Sequence, residues 1–334
     1  GVGTALFYPK ENMMSDLQTF DSYTADLLST CTLCPRECNV NRMAGQTGIC
    51  GETAILRGAR AALHFWEEPC ISGKSGSGTV FFSGCSVGCV FCQNQSIAHG
   101  ETGFSITSKR LSEIFLELQA QGANNINLVT PTHFIPQIRE ALLLARDAGL
   151  TIPIVYNTSG YEKVESLHLL HGLVDIYMPD CKYVSSELST RYSHCGDYFT
   201  QASQAIVEMV RQVGTPLFSG DPEEDSYSDE VLMKRGVLVR HLLLPGCVED
   251  SKRVLSWLHE TFGKQIYISI MRQYTPLPQV TAFPELNRTV TDEEYEELVD
   301  YAISIGIEQA FIQEDGVDKD SFIPAFDGKG ILTK

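Results

Sequence analysis

The sequence has no apolar run approaching the roughly 20 residues that a membrane-spanning helix needs. Residues 1–7 lack the basic and apolar segments of a secretory signal. Basic residues are also few, because 25 Lys and Arg stand against 42 Asp and Glu, which gives a net charge of −17. Such a charge argues against nucleic acid or an anionic membrane as the main partner. We therefore expect a cytoplasmic location and no nucleic-acid or membrane partner.

The cysteines, in contrast, are numerous and clustered along the sequence. The chain holds 11 cysteines in 334 residues, and seven of them fall into two groups with metal-ligand spacing. A disulfide framework is typical of short secreted chains, whereas clustered cysteines in a long chain indicate metal binding in a reducing compartment.

The first group, Cys85, Cys89 and Cys92, forms a C-x3-C-x2-C run directly after an apolar strand. A [4Fe–4S] cluster usually takes four thiolates, one on each iron. Three local thiolates would leave one iron open for a small chelating ligand, which indicates chemistry rather than electron storage. The alternative is a turn of buried, unligated cysteines, since free cysteine is often buried.

The second group, Cys31, Cys34, Cys38 and Cys50, forms C-x2-C-x3-C-x11-C and supplies a full set of four thiolates. Zinc held by four thiolates is the usual structural solution. An auxiliary iron–sulfur cluster uses the same ligands. Spacing alone does not decide between the two metals.

Short apolar strands alternate with amphipathic helices from residue 79 onward, and this pattern predicts a parallel sheet with right-handed crossovers. Capping residues predict where two of the helices begin, Thr107 or Ser108 for one and the capping box Thr291–Glu294 for the other. The predicted strands are 79–83, 126–130, 152–157, 174–179, 237–244, 266–271 and 310–313.

The cysteine run, with Phe91 before its last cysteine, resembles the radical S-adenosylmethionine (radical SAM) superfamily. Segments 31–36, 62–69, 125–133 and 239–246 resemble the PflX-like homologues of pyruvate formate-lyase activating enzyme, over about residues 31–315. The resemblance implies a partial (β/α)6-type barrel, a [4Fe–4S] cluster, SAM and a reductant such as flavodoxin or ferredoxin. We expect three parts: a cysteine-rich extension with a β-hairpin (1–78, turn at 72–78), the barrel (79–315) and a tail (316–334).

Polar residues that follow the predicted strands are candidates for binding SAM at the mouth of the barrel. Where the superfamily usually carries Gly-Gly-Glu, this chain has Thr130, Thr132 and His133; the alternative for His133 is a bond to the backbone. Asn157 follows the third strand, in what is alternatively only a turn. Asp180 and Lys182 resemble the Asp-x-Lys segment of activating enzymes. On the next strand, one of Arg240 and His241 should face the cavity, and His241 is counted among the candidates. Phe91 completes the set.

The acidic segment 221–230 is interpreted as a solvated loop, with a mobile lid as the alternative. Cys181 and Cys247 follow predicted strands and are interpreted as residues able to face the cavity. No acid–base pair is required, so no catalytic base is named. The resemblance implies that a 5′-deoxyadenosyl radical abstracts hydrogen from a substrate, first a glycyl-radical enzyme. The alternatives are modification of another protein or small molecule, and a non-catalytic iron–sulfur carrier. The carrier would need a fourth nearby cysteine, and none follows Cys92 until Cys181.

Overall fold

The computed structural model describes residues 22–220, 231–313 and 324–332. The acidic segment 221–230, residues 1–7 and the greater part of the predicted tail lie outside the described residues.

The described strands form one ten-stranded sheet in the order β10-β9-β8-β6-β5-β4-β2-β1-β3, with β7 paired to β8. Seven neighbouring strands, from β2 to β10, run parallel, while β1, β3 and β7 are antiparallel to their partners. The strands are β1 (Arg57–His64), β2 (Ser77–Phe82), β3 (Phe104–Ser105), β4 (Ile126–Val129), β5 (Ile154–Thr158), β6 (Ile176–Pro179), β7 (Leu217–Phe218), β8 (Met233–Leu242), β9 (Tyr267–Met271) and β10 (Ala310–Ile312).

Helices fill the connections between successive parallel strands, which gives the partial barrel that the sequence predicts. In the described part of the chain β10 pairs with β9 alone, so the sheet stays open. The helices are α1 (Ser22–Ser29), α2 (Pro69–Ser72), α3 (Gln95–Ala98), α4 (Ser108–Ala120), α5 (Ile135–Asp147), α6 (Val164–His168), α7 (Ser186–Ser193), α8 (Tyr198–Val213), α9 (Val248–Phe262) and α10 (Asp292–Ser304).

The core lies between the sheet and these helices. Every residue of β2, β4, β5 and β6 is buried, which explains why these strands are apolar on consecutive positions rather than on alternate ones. The predicted caps are also confirmed. Thr107 accepts a hydrogen bond from the backbone of Arg110 at the start of α4, and Thr291 and Glu294 form a complete capping box on α10.

The predicted β-hairpin is confirmed, but the position of its turn is wrong. β1 and β2 pair antiparallel, and the connection between them covers residues 65–76 and includes α2. Pro69 stands in the first turn of α2, where proline is pre-organised for a helix and its missing N–H costs nothing. The second strand therefore begins at Ser77, inside the segment expected to be the turn.

The cysteine-rich extension and the end of the chain both join the barrel. β1 continues the same sheet, and residues 324–332 lie along it, with the Ala61 N–H donating to the Lys329 carbonyl at 2.8 Å and the Gly328 N–H to the Ala59 carbonyl at 3.0 Å. None of the helices in the described ranges combines the length and the apolar character that crossing a bilayer requires.

Candidate active site

The cysteine loop leaves the carboxyl end of β2 through two glycines with positive φ, Gly84 (+85°) and Gly88 (+73°). A side chain at Gly84 is also excluded by contact, because a Cβ there would lie 2.6 Å from the Cys50 carbonyl oxygen and 2.5 Å from Glu52 Cγ. The loop therefore turns sharply and packs directly on the cysteine-rich extension.

The three thiols of Cys85, Cys89 and Cys92 line one cavity. Burial, together with the neighbouring thiols of Cys85 and Cys89, raises the pKa of the Cys92 thiol to about 12. Hydrogen bonds already point at two of the sulfurs: the Val87 N–H donates to Cys85 Sγ at 3.4 Å and the Ser193 hydroxyl to Cys89 Sγ at 3.1 Å. Such donors stabilise the thiolates that iron requires, so this set fits a cluster held by three cysteines.

The cavity has a volume of about 570 Å³ and opens at the carboxyl ends of the parallel strands. Active sites of parallel α/β folds lie at this edge. Five of the predicted SAM-binding residues line it, namely Phe91, Thr130, Asn157, Asp180 and Lys182.

Thr130 holds an unusual backbone conformation in the cavity wall, with φ of +57°. A β-branched residue in this region is strained, and such strain persists only where the surroundings impose it. The Thr130 N–H donates to the Asn157 carbonyl at 2.9 Å, which ties the ends of β4 and β5 together.

A network of charged side chains crosses the cavity floor. Asp180 accepts from Lys182 Nζ at 2.6 Å and lies 3.0 Å from Arg240 Nη2, and the same nitrogen donates to the Asn157 amide oxygen at 2.7 Å. Arg240 Nη1 also lies 3.6 Å from Glu67. Burial alone would raise the pKa of Asp180, but Lys182 and Arg240 hold it below its ordinary value. Asp180 therefore stays ionised and fixes both cations.

Two adjacent glutamates of the hairpin connection, Glu67 and Glu68, also line the cavity. Glu67 accepts from the Asn157 amide at 3.2 Å, and Glu68 accepts from the Ser269 hydroxyl at 2.9 Å. Burial raises the pKa of Glu68 to about 7, against the lowering effect of Arg240 and Ser269. The predicted site omits these carboxylates, although the segment 62–69 that contains them is part of the family resemblance.

The sequence assignment of His241 is corrected by the structure. Successive side chains of a strand point to opposite faces, and on β8 it is Arg240 that reaches the cavity. His241 is buried on the other face, where its Nδ1 lies 2.7 Å from the Cys181 carbonyl oxygen. Cys181 is itself fully buried, and neither it nor Cys247 lines the cavity.

Thr132 and His133 are likewise buried and do not line the cavity. His133 Nε2 lies 2.6 Å from the Ser83 carbonyl oxygen, which is the backbone-bonded alternative. Thr132 donates to Glu162 at 2.6 Å, and Glu162 also accepts from Tyr156 and Thr158. Burial raises the pKa of Glu162 to about 7. This carboxyl group could not be predicted, since nothing in the local sequence pattern marks Glu162 as buried.

The N-terminal cysteines lie in two turns packed against the barrel. Cys38 Sγ accepts from the Ile49 N–H at 3.4 Å, and a Cβ at Gly48 would stand 2.6 Å from that sulfur. Burial, with a smaller contribution from the three partner cysteines, raises the pKa of the Cys34 thiol to about 12. Across the described ranges no three His, Cys, Asp or Glu side chains form a ready coordination sphere for a single metal ion. The metal at Cys31, Cys34, Cys38 and Cys50 stays a prediction.

Arg36 connects the two cysteine groups. Its guanidinium donates to the Ser86 carbonyl at 2.8 Å, to the Val87 carbonyl at 3.1 Å and to the His194 carbonyl at 2.6 Å. The same group stands over the Tyr161 ring, 5.5 Å from its centroid. A residue inside one cysteine turn therefore holds the backbone of the other.

The central part of the chain is similar to a known protein family. The model of the radical SAM superfamily matches residues 79–236. The uncharacterized protein MJ0674 of Methanocaldococcus jannaschii is 27% identical over 307 residues, covering 89% of this chain and 80% of that protein.

Two solved structures also align with this chain at low sequence identity. A radical SAM methyltransferase from Sphaerobacter thermophilus aligns with a TM-score of 0.48 at 17% identity, covering 72% of this chain and 68% of the other. Streptococcus suis SuiB bound to precursor peptide SuiA aligns with a TM-score of 0.46 at 12% identity. That alignment covers 69% of this chain and 46% of SuiB, so the chain spans less than half of SuiB.

Proposed function

We propose that this chain is an enzyme that holds a [4Fe–4S] cluster on Cys85, Cys89 and Cys92 and cleaves SAM, and the match of residues 79–236 to the model of the radical SAM superfamily supports this proposal. A reduced cluster held by these three cysteines would supply the single electron for cleavage of the C5′–S bond of SAM to methionine and a 5′-deoxyadenosyl radical, and that radical would abstract hydrogen from the substrate. One observation carries the proposal: the three thiols share a single cavity with the polar ends of four parallel strands.

The side chains of the cavity supply binding and orientation. The SAM methionine moiety presents a carboxylate and an amino group, and Lys182, Arg240 and Asp180 offer charges of both signs beside the thiols. Asn157 is held in place by both Arg240 and Glu67. Phe91, which packs edge-on against Tyr274, helps to exclude water from this side of the cavity.

For the substrate, we propose the backbone of a glycyl-radical enzyme, with flavodoxin or ferredoxin as the reductant. The likeness of Asp180 and Lys182 to the Asp-x-Lys segment of activating enzymes supports this proposal. The cavity is also open, and Trp66 at its rim is 66% exposed, which suits contact with a segment of another protein. A glycyl-radical enzyme gene next to the gene for this chain would support activation, and its absence would favour another protein or a small molecule.

Reductive cleavage of SAM tests the proposed chemistry without the substrate. The anaerobically reconstituted protein should show a reduced [4Fe–4S] EPR signal that SAM perturbs, and dithionite plus SAM should yield 5′-deoxyadenosine and methionine. Cys89→Ala should lose both the cluster and the product. Cys247→Ala, which removes a cysteine outside the cavity wall, should retain both.

A fully assembled cluster whose signal ignores SAM, with no 5′-deoxyadenosine formed, would refute the enzyme proposal. That result would favour the electron-carrier function instead.

A further inference from the structure

The end of α7 packs on the cysteine loop. The Val90 N–H, between two of the cluster cysteines, donates to the Tyr192 carbonyl at 2.9 Å. α7 ends one residue later, and His194 follows in the left-handed conformation with φ of +53°. This termination places Ser193 directly beside Cys89.

The Ser193 side chain behaves differently from an ordinary helical serine. Serine in a helix commonly donates to a carbonyl of its own preceding turn, as Ser189 does to the Ser186 carbonyl at 3.2 Å. The Ser193 hydroxyl instead donates to Cys89 Sγ at 3.1 Å and lies 2.9 Å from the Tyr183 hydroxyl. Since the single Ser193 proton is directed to sulfur, Tyr183 must be the donor in the second bond.

Both hydroxyls are buried, with 0% of Ser193 and 1% of Tyr183 exposed. A hydrogen bond away from water is electrostatically stronger, and successive hydroxyls polarise one another. The two side chains therefore form a short chain of donors that ends on a cluster thiolate.

We propose that Ser193, held by Tyr183, is a positioning residue that sets the reduction potential of the catalytic cluster through its hydrogen bond to Cys89 Sγ. The inference rests on the proposed function, because it requires the cluster at Cys85, Cys89 and Cys92. A donor to a cluster sulfur favours the reduced form, which carries one more negative charge, and so raises the potential.

The test is a potentiometric titration, followed by EPR, of the anaerobically reconstituted protein without SAM. Ser193→Ala should shift the ratio of oxidised to reduced cluster about tenfold toward the oxidised form at a fixed potential, which is about 59 mV for a one-electron couple. Tyr183→Phe should shift this ratio in the same direction but by less. Ser193→Thr, which keeps a hydroxyl, should have the potential of the unsubstituted protein. Any signal from iron at the N-terminal cysteines is measured in a Cys85/Cys89/Cys92→Ala variant and subtracted.

Ser189→Ala is the matched control. It makes the same substitution one turn earlier in α7 at a buried serine whose hydroxyl stays within the helix, and it should leave the potential unchanged. A potential of Ser193→Ala equal to that of the control would overturn the inference. If Ser193→Ala does not assemble its cluster, the Tyr183→Phe titration decides, and an unshifted potential there also overturns it.

The proposed function and this inference fail separately. An assembled cluster that does not cleave SAM refutes the function and leaves the comparison of potentials valid. Normal cleavage with identical potentials refutes only the role of Ser193.

Discussion

At the scale of single residues, alanine substitutions at the two glycines of the cysteine loop should have different effects. Gly84→Ala should prevent the loop from seating on the extension, because its Cβ would meet the Cys50 carbonyl, whereas a Cβ at Gly88 meets nothing within 4 Å. Gly88→Ala should lower the unfolding free energy by only about 1–2 kcal/mol, because the alanine must adopt the left-handed conformation. Iron content after reconstitution should be low in the first variant and near normal in the second. Equal iron content in the two would show that contact with the extension is unimportant.

Lys182 should act on SAM binding more than on folding. Lys182→Ala leaves Asp180 paired with Arg240, so we expect a loss of about 1.5–3 kcal/mol of unfolding free energy, as for a hydrogen bond to a charged group. The cluster should assemble, while the SAM concentration that perturbs its EPR signal should rise at least tenfold. Lys163→Ala is the control, since that lysine pairs with Glu37 outside the cavity wall. Equal SAM titrations of the two variants would show that Lys182 does not contribute to SAM binding.

How far single residues could be predicted depended on where they stand along their strands. Asp180 and Asn157 were predictable because the carboxyl ends of parallel strands meet at one edge. His241 was not, because the sequence does not say which face of β8 turns inward. Glu67 could not be assigned to the cavity from the sequence either, since its contact with Arg240 joins positions far apart in the chain.

At the scale of elements, the parallel strands were predictable because full burial makes them continuously apolar. Helices α7 and α8 were not predicted. The α7 sequence is largely polar, and the helix ends at His194, which takes the left-handed conformation where glycine is usual, so its sequence pattern marks neither its face nor its end. The bond from the Val90 N–H to the Tyr192 carbonyl, which brings this helix end to the cysteine loop, joins positions far apart in the chain.

The start of α10 should make a measurable contribution that depends on pH. Arg288 lowers the pKa of Glu294 to about 2, helped by the backbone N–H groups of Thr291 and Gly246. A depressed pKa stabilises the folded state above the unfolded value of about 4.3, and this contribution is lost as the pH falls toward 2. Glu294→Gln should therefore cost roughly 1 kcal/mol at pH 7 and progressively less in acid.

Denaturant unfolding of the metal-free protein at several pH values checks this expectation. Glu293→Gln, in the same first turn but exposed, is the control and should change the unfolding free energy little at any pH. If the loss of unfolding free energy in Glu294→Gln does not vary with pH, the carboxylate charge is not its cause.

At the scale of the whole molecule, the N-terminal cysteines should hold a metal even when the cysteines of the catalytic loop are removed. Their four-thiolate set is complete without Cys85, Cys89 and Cys92, so a Cys85/Cys89/Cys92→Ala variant purified without oxygen should retain metal. About one zinc per chain would identify a structural zinc site, and iron with sulfide would identify an auxiliary cluster. A folded variant with neither metal would exclude a second site.

The guanidinium of Arg36 has a consequence for how the protein is loaded with metal. It belongs to the turn between Cys34 and Cys38, yet it bonds the carbonyls of Ser86 and Val87 in the catalytic loop. Ordering either turn therefore lowers the entropy lost when the other is ordered. By thermodynamic linkage the effect is reciprocal, so a metal at the predicted N-terminal site would raise the affinity of the catalytic loop for its iron, and the reverse, by the same factor. Removal of the predicted N-terminal metal should accordingly lower the iron that the catalytic loop retains at equilibrium with a competing chelator, and Arg36→Ala should abolish that difference.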